Sequence, residues 1–288
     1  MSTSEFVCGG SMNAKQWVLG SGVGDALIAS RHAFEMVRAA LGRPEILGTL
    51  ANDQLAGRLV AGLNRPATAF LDVGAHIGSV SAAVLRNDAS VAIHAVEAVP
   101  AKVTALRRKF PGFAVHECAV GDRTGEVTFF VNTVQSGYSS LGAPAAAKGG
   151  GGIAAIQVAM KTLDELVPAV AVDVIKVDIE GAELGALRGA VRLIERCRPT
   201  IMFESAPGDL NGLGYTKEAL WQFLNDVGYE IVVPNRVAHD GAGLSEEGFV
   251  ESHLYPRRTT NYFAVASERR REVRDRARNL LGLGTATA

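Results

Sequence analysis

Cysteine is scarce in this chain. The three present, Cys8, Cys118 and Cys197, are too widely spaced for a zinc ligand set and odd in number for a disulfide framework, which points to a reducing compartment. An excess of charge of one sign is missing too. Lys and Arg total 29 and Asp and Glu total 30, so there is no global attraction to nucleic acid. No apolar run is long enough to cross a bilayer. The stretch MSTSEFVCGGSMNAKQWVLG has no basic start followed by an apolar core, so no signal peptide is expected. These absences describe a soluble, cytoplasmic protein that is not an integral membrane protein. What is present is ordinary for a globular chain: 48% hydrophobic and 20% charged residues over 288 positions, enough to bury one large core or two small ones.

From Thr68 onward, strand-like and helix-like segments alternate. Strands are predicted at Ala69–Val73, Val91–Val96, Ala114–Cys118, Asp173–Asp178, Thr200–Glu204, Tyr229–Val233 and Tyr262–Ala266, with helices at Ser79–Asn87, Pro100–Lys109, Glu183–Arg192 and Lys217–Asp226. Such alternation implies crossover connections and a mostly parallel sheet covered on both faces. Pro234–Asn261 shows no convincing helix, so the last two strands are read as a long hairpin making an antiparallel edge. Thr124–Asn132 should form an extra hairpin with Ile156–Met160 around the small-residue loop LGAPAAAKGGGG. Pro44–Leu63 and Asp25–Leu41 read as helices of an N-terminal cap over residues 1–66. The sheet domain is assigned to 67–267, and an Arg-rich helix and tail to 268–288. In that last segment six Arg interleave with Glu268, Glu272 and Asp275, which reads as a solvated helix laced with ion pairs rather than a nucleic-acid arm.

In FLDVGAHIGSVSAAVL a strand runs into a glycine turn and then a helix, whose free N–H groups and dipole would face a ligand. A dinucleotide turn needs glycine in the middle, where pyrophosphate approaches the backbone. Here Gly74-Ala75-His76-Ile77-Gly78 puts His76 there, and Asp72 places a carboxylate where a phosphate would be repelled. The cofactor that fits has an ammonium group and no phosphate, as S-adenosylmethionine does. Glu97, ending the second strand, suits paired ribose hydroxyls, and the next strand leads through AVGD to an adenine edge and Asp122. A second glycine-rich stretch, LGSGVGDA at Leu19–Ala26, lacks a following strand–helix–strand unit and reads as a flexible turn.

VDVIKVDIEGAEL brings Asp178, Glu180 and Glu183 to the end of another strand, and IMFESAP adds Glu204. Packing does not call for so many carboxylates on two buried strands. Asp178 and Glu180 are candidate bases for an acceptor proton, with Glu204 positioning the acceptor. Lys176, two residues before Asp178 on the same strand face, would hold a carboxylate ionised. Glu180 could instead cap the following helix. The acids could also hold Mg²⁺, although no spacing is diagnostic of a metal. His76, His116, His239 and His253 are further possible bases, and His253 could reach the pocket mouth. Tyr138, Ser139 and Ser140 suit contact with a polar acceptor.

Taken in order, FLDVGAHIGSVS, HAVEAVP, HECAVGDRTGEVTF, the GYSSL loop, MKTLDEL, VIKVDIEGAE and IMFESAP resemble the FkbM family of S-adenosylmethionine-dependent methyltransferases, closely over Phe70 to Pro207. The resemblance implies a Rossmann-like class I methyltransferase fold and methylation of an oxygen on a sugar, glycolipid or secondary metabolite. It assigns the methionine end of the cofactor to Asp72, Gly74 and Gly78, the ribose to Glu97 and the adenine to Cys118, Ala119 and Val120. Ala75, His76, Ala98 and Asp178 are further expected cofactor contacts. The cap, the glycine-rich insert at 142–152 and the segment before Asn261 lie outside the resemblance, where acceptor choice would be decided. N-methylation of a small amine or amino acid is the alternative, and cofactor binding without turnover or a nicotinamide oxidoreductase are lesser ones. The acidic VDIEGAE argues against a nucleic-acid substrate. Homo-oligomerisation is left open.

Overall fold

A strand covered on both faces has no polar side to turn to water, and two segments read that way from end to end: AFLDV and VDVIKV. The computed structural model describes residues 22–132, 141, 153–205 and 213–284. Its first half runs α1 (Gly22–Gly42), α2 (Leu47–Gly62), β1 (Ala69–Val73), α3 (Ser79–Asn87), β2 (Ala92–Glu97), α4 (Pro100–Lys109) and β3 (Ala114–Glu117). Then come β4 (Ala119–Val120), β5 (Gly125–Asn132), β6 (Ile153–Lys161), α5 (Leu163–Leu166), β7 (Val172–Val177), α6 (Glu183–Arg188) and α7 (Val191–Cys197). The remainder is β8 (Thr200–Glu204), α8 (Lys217–Asp226), β9 (Tyr229–Val232), α9 (Glu246–Glu251), β10 (Asn261–Ala266) and α10 (Arg270–Leu281).

The main sheet has seven strands in the order β3-β2-β1-β7-β8-β10-β9, parallel except for β10. This is the mostly parallel Rossmann-like sheet the sequence predicts, with one difference. The antiparallel strand is not at the edge: β10 inserts between β8 and β9, pairing with both, and β9 is the outer strand. Alternate residues feed two cores. Leu71, Ile175, Ile201 and Phe203 pack beneath α6, α7 and α8, whereas Phe70, Val174, Met202 and Phe263 meet Leu59 and Val60 of α2, Val84 of α3 and Val273 of α10. Helices from both flanking segments therefore complete one face of the sheet.

Four expectations change. Glu183–Arg192 is not one helix but two, broken at Gly189, where a Cβ would sit 2.1 Å from the Gly121 carbonyl oxygen. The segment before β10 holds a short helix, α9, which starts at Ser245 with its hydroxyl accepting from the Gly248 N–H and two Glu following it. In LGSGVGDA, Gly22–Ala26 is helical rather than a turn. The Arg-rich helix is docked rather than solvated all round: Val273 and Ala277 are buried, and its arginines reach Asp173, Glu230 and Asp240 on other elements. The hairpin of β5 and β6 forms in full and with β4 makes a separate three-stranded sheet. Cys8, Leu19–Ser21 and the insert at 142–152 lie outside the described residues.

Candidate active site

The carboxyl ends of β1, β2, β7 and β8 surround a cavity of about 400 Å³, within the range of small-molecule sites. Its polar end is the turn after β1. Gly74 has φ +79°, and a Cβ there would lie 2.0 Å from the Asp178 carbonyl oxygen, so only glycine lets β1 and β7 approach. The turn is not an open anion cradle. The Gly74 and Ala75 N–H groups both donate to the Val96 carbonyl (3.0 Å each), and that of His76 donates to Glu97 Oε2 (3.0 Å). What opens to the cavity instead is the first turn of α3, at Ser79 and Val80. His76 has φ +51°, a conformation few non-glycine residues adopt. Burial first, then Lys102 and Lys176, lower its pKa to about 4, so the ring is neutral at pH 7.

Lys176 organises the acids. Its Nζ lies 3.2 Å from Asp72 Oδ1 and 3.2 Å from Asp178 Oδ2, and donates to the Gly74 carbonyl at 3.1 Å. Burial alone would lower the ammonium pKa, but Asp178 and Asp72 outweigh it and keep Lys176 charged. Burial would likewise raise Asp178. Lys176 and a hydrogen bond with Glu204 bring its pKa below the usual carboxylate value instead. Glu204 is pushed up to about 9 by burial, by that hydrogen bond and by the Asp178 charge, so at neutral pH it is the protonated member and donates to Asp178. Glu180, at φ +55°, is raised to about 7 by burial and then by Asp178 and Glu183. Asp178, Glu180 and Glu204 each offer an oxygen within 4.8 Å of the others, a spacing a cation could span with release of the Glu204 proton.

At the other end the wall is apolar: Ala98, Cys118, Ala119 and Val120, closed by Phe129 of β5 and by Leu141. Burial raises the Cys118 thiol to about 11, keeping it neutral. Between the two ends stands Glu97, only 6% exposed, its Oε1 accepting from the Val99 N–H at 2.9 Å. Burial raises its pKa against the pull of Lys102 and these backbone donors.

The cavity thus gathers Gly74, Ala75, His76, Glu97, Ala98, Cys118, Ala119, Val120, Lys176, Asp178, Glu180 and Glu204. Other sequence-predicted residues stand elsewhere. Asp72, 1% exposed, lies beneath the cavity, held by Lys176 and by the Ser81 hydroxyl (2.6 Å). Gly78 starts α3 at φ +74°, where a Cβ would meet Phe110 at 2.8 Å and Leu106 at 2.9 Å, so its task is packing. His253 does not reach the mouth. It is buried, with Nδ1 2.8 Å from the Phe249 carbonyl oxygen and Nε2 2.8 Å from Ser205 Oγ. The cap of the turn after β7 is Glu183, not Glu180: its carboxylate accepts from the Ile179 and Gly181 N–H groups at 3.2 and 3.1 Å. His116 pairs with His94 at 3.2 Å, His239 is exposed, and Asp122 pairs with Arg123 away from the cavity. Tyr138, Ser139 and Ser140 lie outside the described residues. Sequence reasoning missed Lys102, Ser79, Val80, Phe129 and Leu141. Ser79 and Val80 stand inside FLDVGAHIGSVS, Leu141 ends the GYSSL loop and Phe129 is one of two aromatics in the alternating TFFVN strand, whereas Lys102 carried no signal.

The family model for the methyltransferase FkbM domain matches residues 72–231, more than half of the chain. No curated protein matches. Among solved structures the chain is similar to the FkbM methyltransferase of Methylobacillus flagellatus KT, with 19% identity and a TM-score of 0.44 over 70% of this chain and 44% of that one. It is also similar to a precorrin-6y C5,15-methyltransferase from Geobacter metallireducens GS-15, with 17% identity and a TM-score of 0.35 over 62% and 72% of the two chains. The sugar N-methyltransferase KedS8 of Streptoalloteichus sp. shares 14% identity, with a TM-score of 0.36 over 74% and 85%. The chain spans less than half the length of the first of these, and at such identities none of them specifies an acceptor. The family match covers the glycine turn, Glu97, the acids after β7 and Glu204 in one span, and on it the chain belongs to the FkbM family of S-adenosylmethionine-dependent methyltransferases.

Proposed function

We propose that this methyltransferase acts in the cytoplasm on a hydroxyl of a sugar, glycolipid or secondary metabolite. The observation that carries this reading is the graded set of acids at the polar end of the cavity: an ionised Asp178 beside Lys176, a protonated Glu204, and Glu180 with a pKa of about 7. A general base works best when its pKa lies near the working pH, which favours Glu180 over the more acidic Asp178. Glu180 takes the hydroxyl proton, Asp178 accepts a hydrogen bond that orients the acceptor, and Glu204, donating its proton to Asp178, helps to position that carboxylate. Lys176 keeps Asp178 ionised, and Asp72 anchors Lys176 from below.

The cavity suits the cofactor the family implies. The apolar wall of Cys118, Ala119, Val120 and Phe129 would hold adenine, Glu97 the ribose hydroxyls, and the Gly74–His76 turn with Asp178 the methionine end. When bound, S-adenosylmethionine supplies an electrophilic methyl carbon, so that the O–C bond forms as the S–C bond breaks. At the turn itself, neutral His76 and N–H groups already used within the protein offer little to a pyrophosphate.

Calorimetry with S-adenosylmethionine and S-adenosylhomocysteine, on wild type and Glu97→Ala, tests the assignment. Micromolar binding, weakened at least about tenfold in the variant, is the expected result, one lost charge-assisted hydrogen bond being worth about 1.5–3 kcal/mol. Equal binding by both proteins would remove Glu97 from the ribose site. Mg²⁺ has no part in this reading, so its addition should leave the isotherm unchanged. A panel of sugar alcohols and amines then separates O- from N-methylation.

A further inference from the structure

Helix α1 is built inside out. It buries Ala39 and half-buries His32 and Met36, while Leu27, Phe34, Val37 and Leu41 are 59–85% exposed. At 3.6 residues per turn, Leu27, Phe34 and Leu41 recur every second turn and Val37 falls between them, so the four make one outward stripe. A contiguous exposed apolar stripe of this kind marks an interaction surface.

The C-terminal end of α1 leads to the carboxyl edge of the sheet, the edge where the cavity opens. The first turns of α2, which follow α1 closely, are tied to the chain just before β10: the Thr49 hydroxyl donates to the Arg257 carbonyl, and the Asn52 amide to that of Arg258 at 2.9 Å. β10 enters the sheet at Asn261, opposite Glu204 in the cavity wall. Two more exposed apolar residues, Leu254 and Tyr255, stand at this end, and the Tyr255 hydroxyl donates to Glu45 at 2.5 Å.

We infer that α1 and the Leu254–Tyr255 corner form a docking surface for an anionic lipid membrane, lying in its interface with the cavity side turned toward the headgroups. Charge selects this occupant over a second copy of the chain. Arg31 and Arg38, both exposed, flank the stripe on one side, and Ala33 and Ala40 flank it on the other. Two such helices packed stripe to stripe would set arginine against alanine when parallel, or arginine against arginine when antiparallel. Neither supplies the opposite charges that favour pairing. Phosphate headgroups do supply them, and Arg43 and Arg258 extend the positive rim at the Tyr255 end. Three acids lie close by: Glu35 is engaged by Arg31 at 2.6 Å in an exposed pair that headgroups could displace, Glu45 accepts from the Tyr255 hydroxyl, and Glu251 is exposed one turn before Leu254. Arg31, Arg38, Arg43 and Arg258 therefore leave the surface positive by a narrow margin. This inference is independent of the acceptor.

The test is co-sedimentation of the full chain with vesicles of phosphatidylcholine alone and of phosphatidylcholine mixed with phosphatidylglycerol, at low and high salt. The variants are Phe34→Glu/Leu41→Glu and Arg31→Ala/Arg38→Ala, with cofactor calorimetry to show that each is folded. Wild type should pellet with the anionic vesicles and be released by salt. The acidic double variant should lose at least about thirtyfold in partition and the alanine variant about thirtyfold, since each of the two basic residues near an anionic surface is worth about 1 kcal/mol. No pelleting of wild type, or equal pelleting of all three folded proteins, would overturn the inference. So would a wild-type dimer in light scattering that the acidic variant makes monomeric without any vesicle binding, which would assign the stripe to a second copy.

Discussion

Asp173 near the start of β7 and Asp178 just past its end offer the same carboxylate to opposite edges of the sheet. Asp173 is 1% exposed and surrounded by cations: Arg65 at 2.8 Å, Arg269 at 2.9 Å and Arg276 at 3.6 Å, with the Arg65 N–H donating at 2.6 Å. Asp178 is half-buried, shares its single lysine with Asp72, and has two further acids beside it. One end has cations in excess and is closed, so it holds the C-terminal helix and the approach to β1 against the sheet. The other has acids in excess and is open to a cavity, an arrangement that costs stability and is the signature of a site kept for chemistry.

The largest effect should come at the open end. Glu180→Gln removes the proposed base and should lower kcat by about 10²–10⁴-fold, the span typical of general-base catalysis, with an unchanged far-UV spectrum. In wild type kcat/KM should rise with pH through about 7, as Glu180 loses its proton, and the variant should lose that limb. An active Glu180→Gln with the same pH profile would move the base to Asp178.

At the closed end the loss should be in stability. Asp173→Ala takes the buried carboxylate from Arg269, whose side chain is only 11% exposed and keeps Glu272 at 3.0 Å, and should cost about 1–3 kcal/mol in denaturant unfolding while leaving kcat of the folded fraction intact. A fall in kcat with stability unchanged would erase the distinction between the two ends.

A third effect concerns pH. The folded-state pKa of Glu204 is raised from 4.5 to about 9, so the folded protein holds a proton the unfolded chain releases, and stability falls as pH rises across that interval. Glu204→Gln removes this dependence. Its melting temperature relative to wild type should therefore climb between pH 5 and pH 9. A constant difference would mean that Glu204 ionises normally.

Much of this was legible in the sequence because it depends on local pattern. Ser79–Asn87, Pro100–Lys109 and Lys217–Asp226 fold as helices over the predicted spans, and Ala69–Val73 and Thr200–Glu204 as strands. Asp178, Glu180 and Glu204 were recognisable as a group since each ends a strand or opens the turn after one, the edge where ligands bind in such sheets. Asp72 and His253 were misplaced for a common reason. Alternation assigns a side chain to a face, but not to a depth or a partner, and both residues find their partners below the surface.

Taken alone, the sequence determined that the sheet is mostly parallel, which strand ends carry acids and which glycines turn the chain, because hydrophobic period and steric freedom act over a few residues. Tertiary structure decided the rest: that β10 slips in beside β8, that Lys176 serves two aspartates, and that Glu204 keeps its proton. It also decided that Phe129 closes the cavity and that α1 turns its apolar face outward. Those outcomes depend on residues far apart in the chain and on burial, and a carboxylate's charge is set by what surrounds it in space.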